Sequence, residues 1–148
     1  MNSIKKRGLC LALLLLMLFA SFADPNILTA KAEGRAITFN NTMSASSNAI
    51  ILNGKLYFSY SISGFPSITT GALIHSYIDY SLLGIIWTRV DNGLPNKRWE
   101  DQTNDYDYSN EHSLQLYNSG YYRVTIEMHV YGSGGAPDVI TNIHTVHY

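Results

Sequence analysis

The sequence predicts an all-β protein, built as an antiparallel sandwich of about seven strands. In Gly120–Tyr131 apolar and polar residues alternate, as in a strand with one buried and one solvated face. Glycine and Asn-Gly pairs divide the rest of the chain into short segments rich in Tyr, Ile, Val and Thr, and no segment keeps helical spacing for three turns. Successive short strands favour a sandwich, and a small β-barrel is the alternative.

Turn signals bound the predicted strands. The Ser-rich segment Ser44–Asn48 is predicted to be a loop, and Asn53-Gly54 precedes a segment with a clear alternating pattern. Gly84 separates the third strand from the fourth, in which Trp87 is the candidate core aromatic residue. The predicted strands are Arg35–Thr42, Lys55–Ser63, Ala72–Leu82, Ile85–Asp91, Leu114–Tyr117, Gly120–Tyr131 and Asp138–Tyr148. The residues predicted to face the core in the second and third strands are Leu56, Phe58, Tyr60, Ile62, Ile74, Ile78, Tyr80 and Leu82.

A second pattern overlaps the strongest strand. Leu114, Asn118, Gly120, Tyr122 and Val124 have the spacing L-x-x-x-N-x-G-x-Y-x-V. This spacing resembles the corner before strand F of immunoglobulin-like domains, in which a buried Tyr returns its hydroxyl to nearby backbone. Val124 stands where antibody domains have a Cys, so the inter-sheet disulfide of those domains is absent. The resemblance implies an immunoglobulin-like sandwich with Tyr122 buried.

The N-terminus has the pattern of a secretory signal peptide. Residues 5–7 are basic, and Leu9–Ala20 is an uncharged apolar run shorter than the ~20 residues that a bilayer span needs. Cleavage is expected after Ala32, with Ala23 as the alternative, so that residues 1–32 are removed and residues 33–148 form one secreted, extracellular domain. That domain contains no Cys and is therefore predicted to be disulfide-free.

The charge of the predicted mature chain argues against two classes of partner. Residues 33–148 contain six basic and ten acidic residues, a net charge of −4. Nucleic acids and anionic membranes both favour clustered Lys and Arg. We therefore expect neither nucleic acid nor, after signal cleavage, a membrane as partner.

No metal or other cofactor is predicted. His144 and His147 are three residues apart, which places them on opposite faces of a strand, and His129 could meet a His of the last strand only if the hairpin register allowed it. In the acidic segment Glu100–Glu111, four residues with side-chain oxygens recur at every second position. They are the best candidates in the sequence for ligands of a calcium ion. The EF-hand pattern is absent there, so a solvated acidic loop is the preferred interpretation. The four residues are Asp105, Asp107, Ser109 and Glu111.

The segment Leu94–Glu111 is also the predicted binding surface. It is expected to be a long loop, and it combines Arg98 and Trp99 with Tyr106 and Tyr108. Aromatic rings and arginine are frequent in binding hot spots, and aromatic faces beside carboxylates can also hold a sugar. The same rings could instead simply cover the edge of the sandwich.

Catalytic motifs are missing from the predicted mature chain. It contains no G-x-S-x-G, no H-E-x-x-H and no Cys, and Gly132–Gly135 resembles a hairpin turn, since no helix follows it. The chain is therefore not expected to be an enzyme. The expected function is a secreted, non-catalytic binding or interaction module whose unknown partner is an extracellular protein or a glycan. A carbohydrate or cell-wall binding module is the alternative, and a small secreted hydrolase is the least favoured interpretation.

The signal peptide, the Gly-Tyr-Tyr-Arg-Val strand, the Gly-rich turn and the Thr-rich last strand together resemble small uncharacterised secreted proteins of Gram-positive bacteria. The resemblance lies mainly in residues 114–148. It implies an exported, single-domain, disulfide-free sandwich and supplies no active-site residues.

Overall fold

Backbone hydrogen bonds join the strands into two antiparallel sheets. The computed structural model describes residues 39–148, so the predicted signal peptide lies outside the described residues. The strands are β1 Thr42–Leu52, β2 Lys55–Gly64, β3 Thr69–Ser81, β4 Thr88–Arg89, β5 Trp99–Thr103, β6 Asp107–Gln115, β7 Tyr121–Gly132 and β8 Asp138–His147, with one 3₁₀ turn at Pro95–Lys97.

The order of the strands defines the architecture. One sheet has the order β1-β2-β6, and the other has the order β4-β3-β7-β8, with β5 also paired to β3. The pairings β1-β2-β6 and β3-β7-β8 match the A-B-E and C-F-G arrangements of immunoglobulin-like sandwiches. Both sheets remain open, so the sandwich prediction is confirmed and the barrel alternative is wrong.

The core lies between the inward faces of β2, β3 and β7. On β2 the predicted alternation is confirmed, because Leu56, Phe58, Tyr60 and Ile62 are all buried. The buried apolar residues that β3 and β7 add are Ala72, Ile74, Ile78, Tyr122, Val124, Ile126, Met128 and Val130. The sequence has a single Cys, so no disulfide within the chain contributes to this core.

Asn53 and Gly54 form the two-residue turn between β1 and β2. Their φ angles are +51° and +74°, as a type I′ hairpin turn requires. The turn sets Leu52 opposite Lys55, and this register places Leu56 on the core side of β2.

The tyrosine corner forms as predicted. The hydroxyl of buried Tyr122 donates a hydrogen bond of 2.7 Å to the carbonyl oxygen of Asn118. Gly120 has a φ of +146°, and a Cβ there would lie 2.8 Å from the ring of Tyr80. Glycine is therefore required beside the corner for space as well as for backbone conformation.

The first strand differs from its prediction. The part of Arg35–Thr42 that the structure describes lies ahead of β1 except for Thr42, whereas the predicted loop Ser44–Asn48 is the middle of β1. The inward positions of this edge strand hold small residues, among them Ala45 and Ser47, and the Ser47 hydroxyl contacts His144 Nε2 at 2.7 Å. Small inward side chains let β1 pack against β8, but their polar composition is typical of a loop.

The segment after β3 also differs from its prediction. Leu82 is exposed rather than inward, and only Thr88 and Arg89 of the predicted strand Ile85–Asp91 pair as a strand. Trp87 is not the core aromatic residue; its ring lies 4.4 Å from the guanidinium of Arg123. The tryptophan that packs against the core is Trp99.

Within residues 39–148 the structure contains no helix that is long and apolar enough to cross a membrane.

Candidate functional site

The predicted binding loop is largely strand. Leu94–Glu111 contains all of β5 and the first half of β6, so the prediction of a long loop is wrong. In both strands the side chains alternate between the core and solvent, and the many acidic residues lie mostly at the solvent positions. The abundance of polar residues concealed this alternation, because half of each strand is solvated.

Two of the four predicted binding residues line one groove. Arg98 and Trp99 border a groove of about 440 Å³ at the β5 edge of the sandwich, together with Asp101 and His112. The remaining lining residues are Leu94, Pro95, Asn96 and Glu100. Arg98 Nη2 donates to Glu100 Oε2 at 2.7 Å, which fixes a charged pair at the rim.

Trp99 is held by ring contacts inside the sandwich. Its ring centroid lies 5.1 Å from that of Phe58 in an edge-to-face arrangement and 5.7 Å from that of His112. These contacts direct much of the indole surface towards the core rather than towards a ligand. These ring contacts give Trp99 a packing role at the edge of the core.

Asp101 connects the two sheets beneath the groove. Its carboxylate accepts hydrogen bonds from the Tyr60 hydroxyl at 2.6 Å and the Asn110 amide at 3.0 Å, and it lies 2.6 Å from His112 Nε2. Burial, followed by the hydrogen bond to Asp101, raises the pKa of Tyr60 well above its usual range, so Tyr60 stays protonated as the donor.

This network resembles only part of a nucleophilic site. His112 and Asp101 form a pair, but the residues that line the groove include no Ser, Thr or Cys. Both oxygens of Asp101 already accept hydrogen bonds. The arrangement is suited to holding β5 against β6 and to binding, and it supplies no nucleophile for acyl transfer.

The other predicted binding residues lie apart from the groove. Tyr106 is exposed in the turn between β5 and β6, and Tyr108 lies on the inward side of β6 with its ring 6.2 Å from that of Tyr60. The structure therefore does not bring Tyr106 and Tyr108 together with Arg98 and Trp99 as one surface.

The calcium candidates follow the extended backbone. Asp107, Ser109 and Glu111 are on the exposed face of β6, and Asp105 is in the preceding turn. Alternate residues of a strand are about 6.6 Å apart, whereas oxygen ligands lie 2.3–2.6 Å from a shared calcium ion. Asp107 instead accepts a hydrogen bond of 2.7 Å from the Ser63 hydroxyl.

The chain between β3 and β4 carries a surface that the sequence analysis missed. Leu82, Leu83, Ile85 and Ile86 are 65%, 73%, 77% and 81% exposed, and we call these four residues the apolar tip. Single exposed aliphatic residues are ordinary, but a contiguous exposed run is typical of an interaction surface. A half-buried strand would alternate polar and apolar residues, but the run Leu-Leu-Gly-Ile-Ile contains no polar residue. This uninterrupted apolar run is the sequence signal that could have identified the surface.

The backbone of the tip rests on the start of β7. Gly84 has a φ of +75°, and a Cβ at this position would lie 3.6 Å from the ring of Tyr121. Tyr121 in turn packs against His147 at the end of β8, with ring centroids 4.6 Å apart. The tip therefore projects from a defined turn.

An ion-pair network joins β3, β4 and β7 next to the apolar tip. Asp79 accepts hydrogen bonds from Arg89 at 2.8 Å and from Arg123 at 3.2 Å. Arg89 lies 3.6 Å above the ring of Tyr77, and Arg123 lies 4.4 Å from the ring of Trp87. Both cations are thus already paired with the protein's own groups.

Comparison with known proteins gives no assignment: no protein-family model matches the chain, and no curated protein sequence matches it.

Proposed function

We propose that the protein is a secreted, non-catalytic binding module that docks the apolar tip into an apolar site on another protein. The observation that carries this proposal is the exposure of four large aliphatic side chains within the five residues 82–86. Secretion rests on the predicted signal peptide of residues 1–32.

The tip has the energetic capacity for such a role. Full burial of one Leu or Ile side chain contributes about 1.5–3 kcal/mol, and a micromolar complex requires about 8 kcal/mol. The backbone of the tip at Gly84 lies beside the ring of Tyr121. Its four side chains could therefore supply most of the binding energy of a moderate complex.

The surroundings of the tip favour a protein over a glycan or a membrane. A glycan needs free hydrogen-bonding groups beside an aromatic face, but Arg89 and Arg123 are both engaged by Asp79. Anionic lipid favours clustered cations, whereas residues 39–148 contain five basic and nine acidic residues. An apolar pocket on a protein needs neither feature.

Cell-wall carbohydrate binding remains the second candidate, and it is favoured by the groove beside Trp99. The groove combines the indole edge with the polar groups of Arg98, Asn96 and Glu100, which could bond sugar hydroxyls. The glycan and protein hypotheses therefore use different surfaces of the molecule.

The test compares three purified proteins: the wild type, the variant Leu83→Ser/Ile86→Ser and the control Ile143→Ser. Ile143 is 60% exposed on β8, so its replacement removes a similar apolar side chain away from the tip. Proteins captured from culture supernatant and cell surfaces are identified, purified and titrated by calorimetry. We expect one of them to bind the wild type and the control alike, and to bind the tip variant at least about tenfold more weakly.

Two further arms use soluble cell-wall glycan and vesicles of neutral or anionic lipid. Glycan binding that is unaffected at the tip and lost on Arg98→Ala would replace the protein proposal with the carbohydrate one. Sedimentation with vesicles that depends on Leu83 and Ile86 would identify a membrane contact instead. Equal protein binding by all three proteins would exclude the tip as the docking surface.

A further inference from the structure

Two histidines and two glutamates meet on the outer face of the five-stranded sheet. His75 of β3 lies directly opposite Glu100 of β5 on one side and Glu127 of β7 on the other. His129 is two residues beyond Glu127 on the same strand and therefore shares its face. The sequence leaves open a histidine partner for His129 on the last strand, but in the structure His129 pairs with Val139 there and its ring neighbour is His75.

The ligand atoms of this cluster are close together. Those of His75, Glu127 and His129 all lie within 4.8 Å of one another. His129 Nε2 is 2.5 Å from Glu127 Oε1, and His75 Nε2 is 3.3 Å from Glu100 Oε2. The cluster is half-buried, which limits competition from water while leaving it open to solvent ions.

One atom of the cluster has no hydrogen-bond partner. His75 Nε2 is buried, and its approach to Glu100 lacks hydrogen-bond geometry. A buried polar atom without a partner costs about 1–3 kcal/mol, and such atoms are uncommon in native proteins. A bound cation would satisfy this nitrogen without any change in the backbone.

We propose that His75, Glu127 and His129 bind one divalent transition-metal ion, with Zn²⁺ as the probe. Two imidazole nitrogens and a carboxylate are a borderline ligand set, which suits Zn²⁺, Ni²⁺ or Cu²⁺ rather than Ca²⁺ or Mg²⁺. This proposal is independent of the apolar tip, and its three ligands lie outside the groove, although Glu100 lines the groove as well.

The geometry requires only small side-chain adjustments. Tetrahedral Zn²⁺ with ligands at 2.0–2.1 Å holds its donor atoms about 3.3 Å apart, so no pair must approach by more than about 1.5 Å. His129 Nε2 and Glu127 Oε1, which are 2.5 Å apart, must separate by about 0.8 Å. The backbones of β3 and β7 are already paired in register, so the ligands are carried by rigid strands. Water or Glu100 can complete the coordination.

Arg98 acts as a positioning residue for the fourth ligand. Its Nη2 donates to Glu100 Oε2 at 2.7 Å, and this is the same oxygen that faces His75. Outer-sphere partners of this kind orient metal ligands. Because water can take the fourth position in its place, replacement of Glu100 should weaken the site less than replacement of either histidine.

The test is calorimetric titration of the untagged, chelator-treated full-length protein with Zn²⁺ near neutral pH. We expect one ion per chain for the wild type, and binding more than about tenfold weaker for His75→Ala and for His129→Ala. His147→Ala is the matched control, since His147 lies on the same sheet close to its other end and should leave the affinity unchanged. Far-UV circular dichroism without metal checks that each variant is folded.

A second readout follows the imidazole rings by nuclear magnetic resonance. Stoichiometric Zn²⁺ should shift the ring signals of His75 and His129 and leave those of His147 in place. The proposal is overturned if the wild type binds none of Zn²⁺, Ni²⁺ and Cu²⁺ at micromolar concentration. It is equally overturned if binding persists undiminished in the folded His75→Ala variant.

Discussion

Asp138 Oδ2 accepts the backbone amide of Asn41 at 2.7 Å, a contact between residues 97 positions apart in the chain. The same carboxylate accepts the amide of Asn40 at 2.9 Å and the hydroxyl of Thr42 at 2.9 Å. Three donors that precede or begin β1 thus converge on the first residue of β8. Because Asp138 is only 6% exposed, the bonds that replace its hydration matter for stability.

Asp138→Asn should lower the free energy of unfolding by about 2 kcal/mol at neutral pH, because it weakens several hydrogen bonds to a charged acceptor. Burial alone would raise the pKa of Asp138, but the hydrogen bonds from Asn40, Asn41 and Thr42 outweigh it and hold the pKa below its usual range. Because the pKa of Asp138 is lower in the folded state than in the unfolded state, the ionised carboxylate stabilises the protein at pH values above the pKa of the unfolded state. This stabilisation is lost as the pH falls through the pKa of the folded state.

Denaturant titrations from pH 7 to pH 2 measure both effects. Below about pH 4 the wild type should lose stability more steeply than Asp138→Asn, so the two curves converge. The control is Asp107→Asn, which alters an exposed carboxylate with one hydrogen bond and should change stability by less than about 0.5 kcal/mol. Parallel wild-type and Asp138→Asn curves would contradict the assigned role.

Tyr122→Phe should destabilise the protein by about 1 kcal/mol, because it removes the hydroxyl and leaves the Asn118 carbonyl without this donor. Burial raises the pKa of Tyr122, which keeps the hydroxyl protonated as a donor at neutral pH. Thermal and urea unfolding measure the loss. Tyr117→Phe is the control, since Tyr117 is 85% exposed, and an equal loss in both variants would refute the corner as the cause.

Local patterns predicted the centre of the fold. The alternation in β2 and β7 identified both buried faces, and the five-residue corner motif identified Tyr122 and its hydrogen bond. These signals are local because a strand face and a corner are each set within about ten residues. The turn between β1 and β2 was likewise predictable from the Asn53-Gly54 pair.

Edge strands and long-range placements were not predictable in the same way. β1 has serines where a strand usually has large residues, and β5 has the polar residues Glu100 and Gln102 on its outer side and Asp101 on its inner side. β5 pairs with β3, which lies more than 20 residues earlier in the chain, so no local pattern specifies this pairing. β1 pairs locally with β2, but its inward face packs against β8 at the other end of the chain. The approach of His75 to His129 depends on the register of β3 against β7, which no local pattern specifies.

The chelator-treated protein should be folded and should unfold in one thermal transition, and reductant should leave its melting temperature unchanged. The single Cys cannot form an intrachain disulfide. The proposed metal ligands project from β3 and β7, which are paired by backbone hydrogen bonds and need no metal to hold them together. Added Zn²⁺ should raise the melting temperature of the wild type, but not that of His75→Ala. Unfolding of the wild type by chelator alone would show instead that metal is part of the fold.

Trp99→Ala should lower the free energy of unfolding by about 2 kcal/mol, because it removes the ring contacts with Phe58 and His112 at the edge of the core. Tyr106→Ala is the matched control: it also removes an aromatic ring from the same segment, but Tyr106 is 45% exposed and the loss should stay below about 0.5 kcal/mol. Urea unfolding measures both variants, and binding to the partner identified through the apolar tip is measured on the same samples under conditions where each is folded. If Trp99→Ala weakened binding and left stability unchanged, the groove would be identified as the binding surface. A stability loss with binding intact would assign Trp99 to the core, which is the outcome that its ring contacts favour.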